Sequence, residues 1–170
     1  MNDTDSVFMR MALKEAEFFL RADRFPVGAI VVSDGKIIGR SNEEIFASRR
    51  FNHAETVAIY QSVREKRDKD LNLDEVTIYT TLEPCIMCFG FILHCRLKRV
   101  VYALEDPYGG ATGLEASSMP PCLRTKLPKI TSGVLREESR QLIKKFLSTT
   151  GDLYWKNNCQ SPLFKLCMDE

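Results

Sequence analysis

The chain has little histidine, little tryptophan and almost no excess charge. Its 170 residues include two His and one Trp, and 24 Lys and Arg against 23 Asp and Glu leave a net charge of +1. Such a balance gives no strong overall pull toward nucleic acid or an anionic surface. There is no apolar run of about 18 residues, so no membrane span is expected. The acidic, polar start Met1–Asp5 lacks the basic stub and apolar stretch of a signal peptide. A cytoplasmic setting is therefore expected, in which the six Cys stay reduced. With 44% hydrophobic and 28% charged residues, what remains is one ordinary globular domain with a single core. Neither an internal repeat nor a low-complexity tract interrupts it.

Val7, Phe8, Met11, Ala12, Glu15, Phe18 and Phe19 follow a helical period that ends at Asp23 and Phe25-Pro26. The apolar run Val27–Val32 predicts a strand, and Ser33-Asp34-Gly35 turns it into Lys36–Arg40 as a hairpin. A polar loop from Ser41 to Asn52 leads into a helix over about His53–Arg67, with Ala54, Val57, Ala58 and Val63 as its apolar face. This helix runs out in the charged turn Arg64–Asp70. Val76–Thr80 is the next strand, Pro84 opens a helix through Ile86–Leu93, and Val100–Ala103 is another strand. Alternating strands and helices predict α/β layers. The Gly- and Pro-rich segment Asp106–Pro121 reads as a long loop of functional interest. An amphipathic helix over Val134–Leu147 and a loosely patterned tail with Trp155 complete the chain.

Two short motifs carry chemistry. His53-Ala54-Glu55 stands at the mouth of the second helix and Pro84-Cys85-Ile86-Met87-Cys88 at the mouth of the third. Cys85 and Cys88, three apart at a helix start, present both sulfurs on one face. The helix N-terminus favours the thiolate that a metal needs. His53 would supply a third ligand, leaving the fourth tetrahedral position of Zn²⁺ to water, as in catalytic zinc sites. Glu55 is placed to take a proton from that water and deliver it to a leaving nitrogen. In a regular helix, however, residues two apart diverge by about 200°. His53 and Glu55 can therefore serve one ion only at the helix's first turn.

H-x-E followed by P-C-x-x-C is the signature of the zinc deaminases. On these motifs the chain resembles the cytidine deaminase-like superfamily, most of all its tRNA adenosine deaminase branch. The likeness also includes Pro26-Val27-Gly28-Ala29, Gly39-x-x-Asn42, Thr81-Leu82-Glu83 before Pro84, Arg99–Tyr102 and the Gly109–Gly113 loop, and spans about residues 7–147. The resemblance implies a three-layer α/β/α fold with a mixed central sheet. It divides the chain into a zinc-dependent deaminase domain over 1–150 and a C-terminal tail over 151–170 that packs on it. One zinc per chain is implied, held by His53, Cys85 and Cys88, with Glu55 as the catalytic proton carrier. By the same resemblance Asn42 and the Ala54 backbone would hold the base and Val27, Gly28 and Leu82 would line its pocket, while Glu83 would touch substrate or orient a loop. The implied reaction is adenosine to inosine in tRNA by a homodimer whose zinc helix and following strand help form the interface. The alternative is a deaminase of a free base, nucleoside or nucleotide of guanine, cytosine (CMP, dCMP) or adenine type. One segment departs from the family pattern: where Asp-Pro-Thr-x usually precedes the His, this chain has Arg49-Arg50-Phe51-Asn52. The two arginines suit a phosphate of RNA or of a mononucleotide.

Other candidates read as structural. A closed site from Cys85, Cys88, His94 and Cys95 is disfavoured, because Cys95 lies about 10 Å along a continuous helix from Cys88. His94 reads as packed or hydrogen-bonded, and Cys95, Cys122, Cys159 and Cys167 as small hydrophobes or bystanders. Met87, Phe89, Phe91 and Ile92 read as core; Phe146, Tyr154 and Trp155 read as anchors of the tail. The near-zero total also conceals an uneven distribution. From Arg124 to Lys165 there are nine basic and three acidic residues, an excess of six positive charges that is either a solvated face or a strip facing phosphates.

Overall fold

The β-branched runs of the sequence pair into one five-stranded sheet in the computed structural model, which describes residues 3–42, 51–65, 75–158 and 160–168. The strands are β1 (Ala29–Ser33), β2 (Lys36–Arg40), β3 (Thr77–Leu82), β4 (Arg99–Leu104) and β5 (Lys129–Thr131). Their order is β2-β1-β3-β4-β5. β1 is antiparallel to both neighbours, and β3, β4 and β5 are parallel. Asp34 and Gly35 both have positive φ, so the hairpin turns as its Asp-Gly pair predicts.

Strand alternation sends side chains to two cores. Ile30, Val32, Tyr79, Val101 and Ala103 pack with Met9, Ala12 and Leu13 of helix α1 (Asp3–Arg21). Ala29, Val31, Ile78 and Val100 face the other way, onto Ala54 and Ala58 of α2 (Ala54–Glu65) and Ile92 of α3 (Ile86–His94). The three-layer α/β/α arrangement with a mixed sheet thus follows. A 3-10 turn (Ala116–Ser118) interrupts the segment expected to be one long loop, and a four-residue helix α4 (Pro121–Arg124) begins at its last residue. α5 (Arg136–Thr149) covers the α1 side, and α6 (Leu153–Asn157) and α7 (Pro162–Met168) follow it. Leu163 and Cys167 of α7 are buried with Leu82, Leu104 and Ile143. Trp155 stacks on Phe25 at 4.1 Å and meets Phe146 edge-on.

Several expectations are corrected. The buried stripe of α1 is Met9, Ala12, Leu13, Ala16 and Phe19, while Val7 and Phe18 are 47% and 52% exposed. The cause is backbone contact: a Cβ on Gly28 would lie 2.2 Å from Ala12 O and 2.4 Å from Ala16 N. Only a glycine facing two alanines lets helix and strand approach this closely, and that contact fixes the rotation of α1. Pro84 does not open α3; extended Cys85 is its N-cap and Ile86 its first residue. β5 went unread because three residues after Pro128 offer too short a pattern. His94 is exposed rather than packed. Arg49, Arg50, the turn residues Lys66–Asp70 and Cys159 lie outside the described residues. Among the described residues no helix is long and apolar enough to cross a membrane.

A part-buried ion pair at Asp5 helps tie α1 to the sheet. Asp5 accepts two bonds of 2.7 Å from Arg99 and one of 2.9 Å from the Tyr79 hydroxyl, and Arg99 donates 2.9 Å to Thr131 Oγ1 on β5. The Arg99 guanidinium holds the Asp5 carboxyl below its ordinary range. A carboxyl lowered in the folded state stabilises fully above its unfolded value of about 3.9, and that contribution fades as pH falls through the folded value. Asp5→Asn is accordingly expected to cost about 2 kcal/mol at pH 7, because Arg99 loses its counter-charge. In urea unfolding, the gap from wild type should narrow below about pH 4.

Candidate active site

The first turns of α2 and α3 meet beside the C-terminal end of β3. His53 immediately precedes α2, where Val57 N donates to His53 O at 3.0 Å. Thr56 Oγ1 lies 2.9 Å from His53 O and 2.6 Å from Phe51 O, pinning this entry. Because His53 is not yet helical, the 200° divergence from Glu55 never arises. Cys85 and Cys88 come from the N-cap and first turn of α3. His53 Nδ1 lies 3.5 Å from each sulfur, and the three donor atoms fall within 4.8 Å of one another. In a tetrahedral zinc site with Zn–S of about 2.3 Å and Zn–N of about 2.0 Å, neighbouring N and S ligands are about 3.5 Å apart. The donor set and its spacing fit zinc.

Proton placement in the metal-free cluster is uneven. The Cys85 thiol is lowered to about 4, first by its hydrogen bond with Cys88 and then by His53. Cys88 is pushed far up by that same bond, by burial and by the Glu55 carboxylate. His53 is raised, chiefly by its bond to Cys85. A cation arriving here would meet Cys85 as the readiest thiolate and would compete with protons at Cys88 and His53.

Glu55 lies beneath the cluster. Its side chain reaches inward from the first turn of α2 and the residue is only 4% exposed. Oε1 accepts from Thr80 Oγ1 at 2.9 Å, and Oε2 sits 3.4 Å from Cys88 Sγ. Burial raises its pKa, opposed in part by Thr80. A carboxyl raised in this way holds a proton more readily than an exposed one, the direction that proton transfer by a carboxyl requires. Thr80, fully buried on β3, had escaped the sequence reading. The available signal was a hydroxyl in an inward-facing strand position five residues before Cys85.

Residues 2–104 match the family model for the cytidine and deoxycytidylate deaminase zinc-binding region. The chain belongs to this deaminase family. The tRNA-specific adenosine deaminase of Rickettsia bellii is 38% identical over 149 residues, covering 85% of this chain and all of that protein. That of Bacillus subtilis is 33% identical, covering 84% and 88% respectively. A solved structure from work on A-to-I editing by tRNA:A34 deaminases at the wobble position is 33% identical with a TM-score of 0.67, covering 80% of this chain and 98% of that one. A guanine deaminase from Nitrosomonas europaea, 23% identical with a TM-score of 0.68 over 85% of each chain, shares the fold.

In this deaminase Glu83 holds a loop against the cluster. Its carboxylate accepts from Asp106 N and Thr112 N at 3.1 Å each and from Thr112 Oγ1 at 2.6 Å. A Cβ on Gly110 would stand 2.3 Å from Glu83 Oε2, so glycine makes room for the carboxylate. Cys85 bridges to Gly110, and Ala111 N donates to Pro84 O at 3.0 Å. The residues marked for substrate are distributed unevenly. Asn42 is exposed just beyond Ser41, whose N and Oγ bond Ala29 at 3.1 and 3.0 Å. Ala54 is the buried first residue of α2. Val27 is half-buried, and Leu82 packs in the cluster with α7. The close approach that Gly28 permits is to α1. Among the described residues neither His94 nor Cys95 joins the cluster of possible metal ligands; Cys122 is exposed and Cys167 buried.

His53→Ala and Cys88→Ser should each retain well under half the zinc of wild type after dialysis, whereas Glu55→Gln should keep it, as read by metal analysis. Zinc uptake should weaken as pH falls, because protons then compete more strongly with the metal for His53 and Cys88, whose pKa values are raised.

Proposed function

We propose that this chain hydrolyses the exocyclic amine of adenosine in a tRNA anticodon loop, yielding inosine and ammonia, with one zinc per chain held by His53, Cys85 and Cys88. The observation that carries the reaction type is the buried Glu55 carboxylate within 3.4 Å of a ligand sulfur in a His/Cys/Cys cluster. The substrate rests on relatives named tRNA-specific adenosine deaminases that match over most of the chain. The cytoplasmic setting expected from the sequence is consistent with such a substrate.

When bound, zinc lowers the pKa of a water from 15.7 to about 7. Glu55 takes the proton released as the water's oxygen attacks the ring carbon. It then delivers that proton to the departing nitrogen, so the carboxylate ends as it began. Thr80 fixes Oε1 and leaves Oε2 on the cluster side to carry the proton. Asn42 and the Ala54 backbone would hold the base edge, and Glu83 keeps the Asp106–Thr112 loop closed over the α3 start. The homodimer expected from the family would use α3, whose Ile86 is 64% exposed.

Incubation with a tRNA pool and, separately, with small nucleobase compounds tests the substrate. Inosine should form in tRNA; ammonia released only from the small molecules would replace the tRNA reading with the free-base or nucleotide one. Glu55→Gln should lower kcat at least about 100-fold. Thr80→Val should lower kcat with KM and zinc content nearly unchanged, since Thr80 touches the proton carrier and neither ligand nor base.

A further inference from the structure

At the end of α3 opposite the metal-ligand cluster, Arg96, Leu97, Lys98, Thr125, Lys126 and Leu127 line an open groove of about 410 Å³. Parallel pairing builds it: Lys129 N donates to Lys98 O at 2.9 Å, bringing the turn after α4 onto the start of β4. Half of the lining residues are cationic. Among the described residues, no acidic group pairs with Arg96 or Lys126. Lys98 meets Glu75 at 3.2 Å, with both side chains more than half exposed, a pairing that offsets little of its charge in water.

Arg96 supplies an independent indication. α3 closes with paired capping bonds, Arg96 N to Leu93 O at 3.2 Å and Leu97 N to Ile92 O at 3.3 Å, and Arg96 itself has φ +56°. Glycine takes this left-handed position at lowest cost. Both capping bonds use backbone only, so the exposed arginine side chain contributes nothing to the closure. A strained backbone site that carries an unpaired cation points to a role outside folding.

We propose that this groove binds the phosphate backbone of the RNA substrate at a distance from the reacting base. The identity of the polyanion rests on the tRNA reading above. The nine residues of α3 span about 13 Å at 1.5 Å per residue. A B-form strand presents a phosphate about every 3.4 Å of axis and an A-form RNA strand more closely, so at least about four steps cover that length. A stem flanking the target loop is long enough to span that separation. A mononucleotide held at the cluster cannot.

The test compares zinc-loaded wild type, Arg96→Gly, Lys126→Gln and the double variant. Each is measured for binding, across a salt series, to a whole tRNA bearing adenosine in its anticodon loop and to an oligonucleotide of that loop alone. Arg96→Gly should melt at or above the wild-type temperature, because glycine relieves the left-handed position. The double variant should bind whole tRNA about 10-fold more weakly, with a log K against log salt slope shallower by about 1.5. Binding of the loop alone should be the same for all four proteins, and kcat on saturating tRNA unchanged. Wild-type affinity and slope in the double variant, or an equal loss on both RNAs, would overturn the proposal. A wild type that binds tRNA through the groove but leaves its adenosine intact would sink the proposed reaction and leave the groove standing. Deamination of tRNA with no binding difference between wild type and double variant would do the reverse.

Discussion

The Glu55 carboxylate occupies an interior position that water barely reaches, with one oxygen on the Thr80 hydroxyl and the other beside the Cys88 sulfur. Burying a carboxyl without partners is costly, so its surroundings must be supplied by the fold. The carboxylate and its two partners come from three elements: Glu55 from α2, Thr80 from β3 and Cys88 from α3. The site therefore depends on the two helices being seated on one face of the sheet. Ala54 and Ala58 of α2 and Ile92 of α3 share a core with Ile78, which is two residues before Thr80 on the same face of β3. Packing of apolar groups thus sets where the Glu55 carboxylate sits.

A second consequence concerns the helix starts. Residues inside a helix at spacing i, i+2 point apart, yet His53 and Glu55 converge because the chain enters α2 between them. The same device serves α3, where an extended Cys85 precedes the helix and Cys88 lies within its first turn. Glu83 and the loop it binds then brace the start of α3 from outside, through backbone donors that would otherwise face solvent. The geometry of the His53, Cys85 and Cys88 cluster is thus set by where the helices begin, and only loosely by their length or amphipathicity.

Much of this was legible in the sequence because it depends on local chemistry. The Asp34-Gly35 turn, the alternating strands and the two ligand motifs each announce themselves within a few residues. What escaped depends on contacts between distant segments. The rotation of α1 is decided by Gly28 meeting Ala12 and Ala16, and no period within α1 contains that information. β5 is three residues long and exists because β4 offers a parallel edge, with Arg99 reaching Thr131. Thr80 looks like any strand threonine until Glu55 arrives from another element.

Charge follows the same logic. The excess of six between Arg124 and Lys165 is a sum along the chain, whereas the field outside a protein is set by charges left unpaired in space. Arg136 is bound by Glu105, and Arg140 is bound by Glu137 and by the Cys167 carbonyl. Arg124 is turned onto the carbonyls of Met119 and Ser117. Three of the nine basic residues are therefore oriented by internal bonds, one of which reaches α7. Arg96 and Lys98 lie outside that run, and only the pairing of β4 with β5 brings them beside Lys126. A linear count overlooks them because two strands distant in sequence create the shared surface.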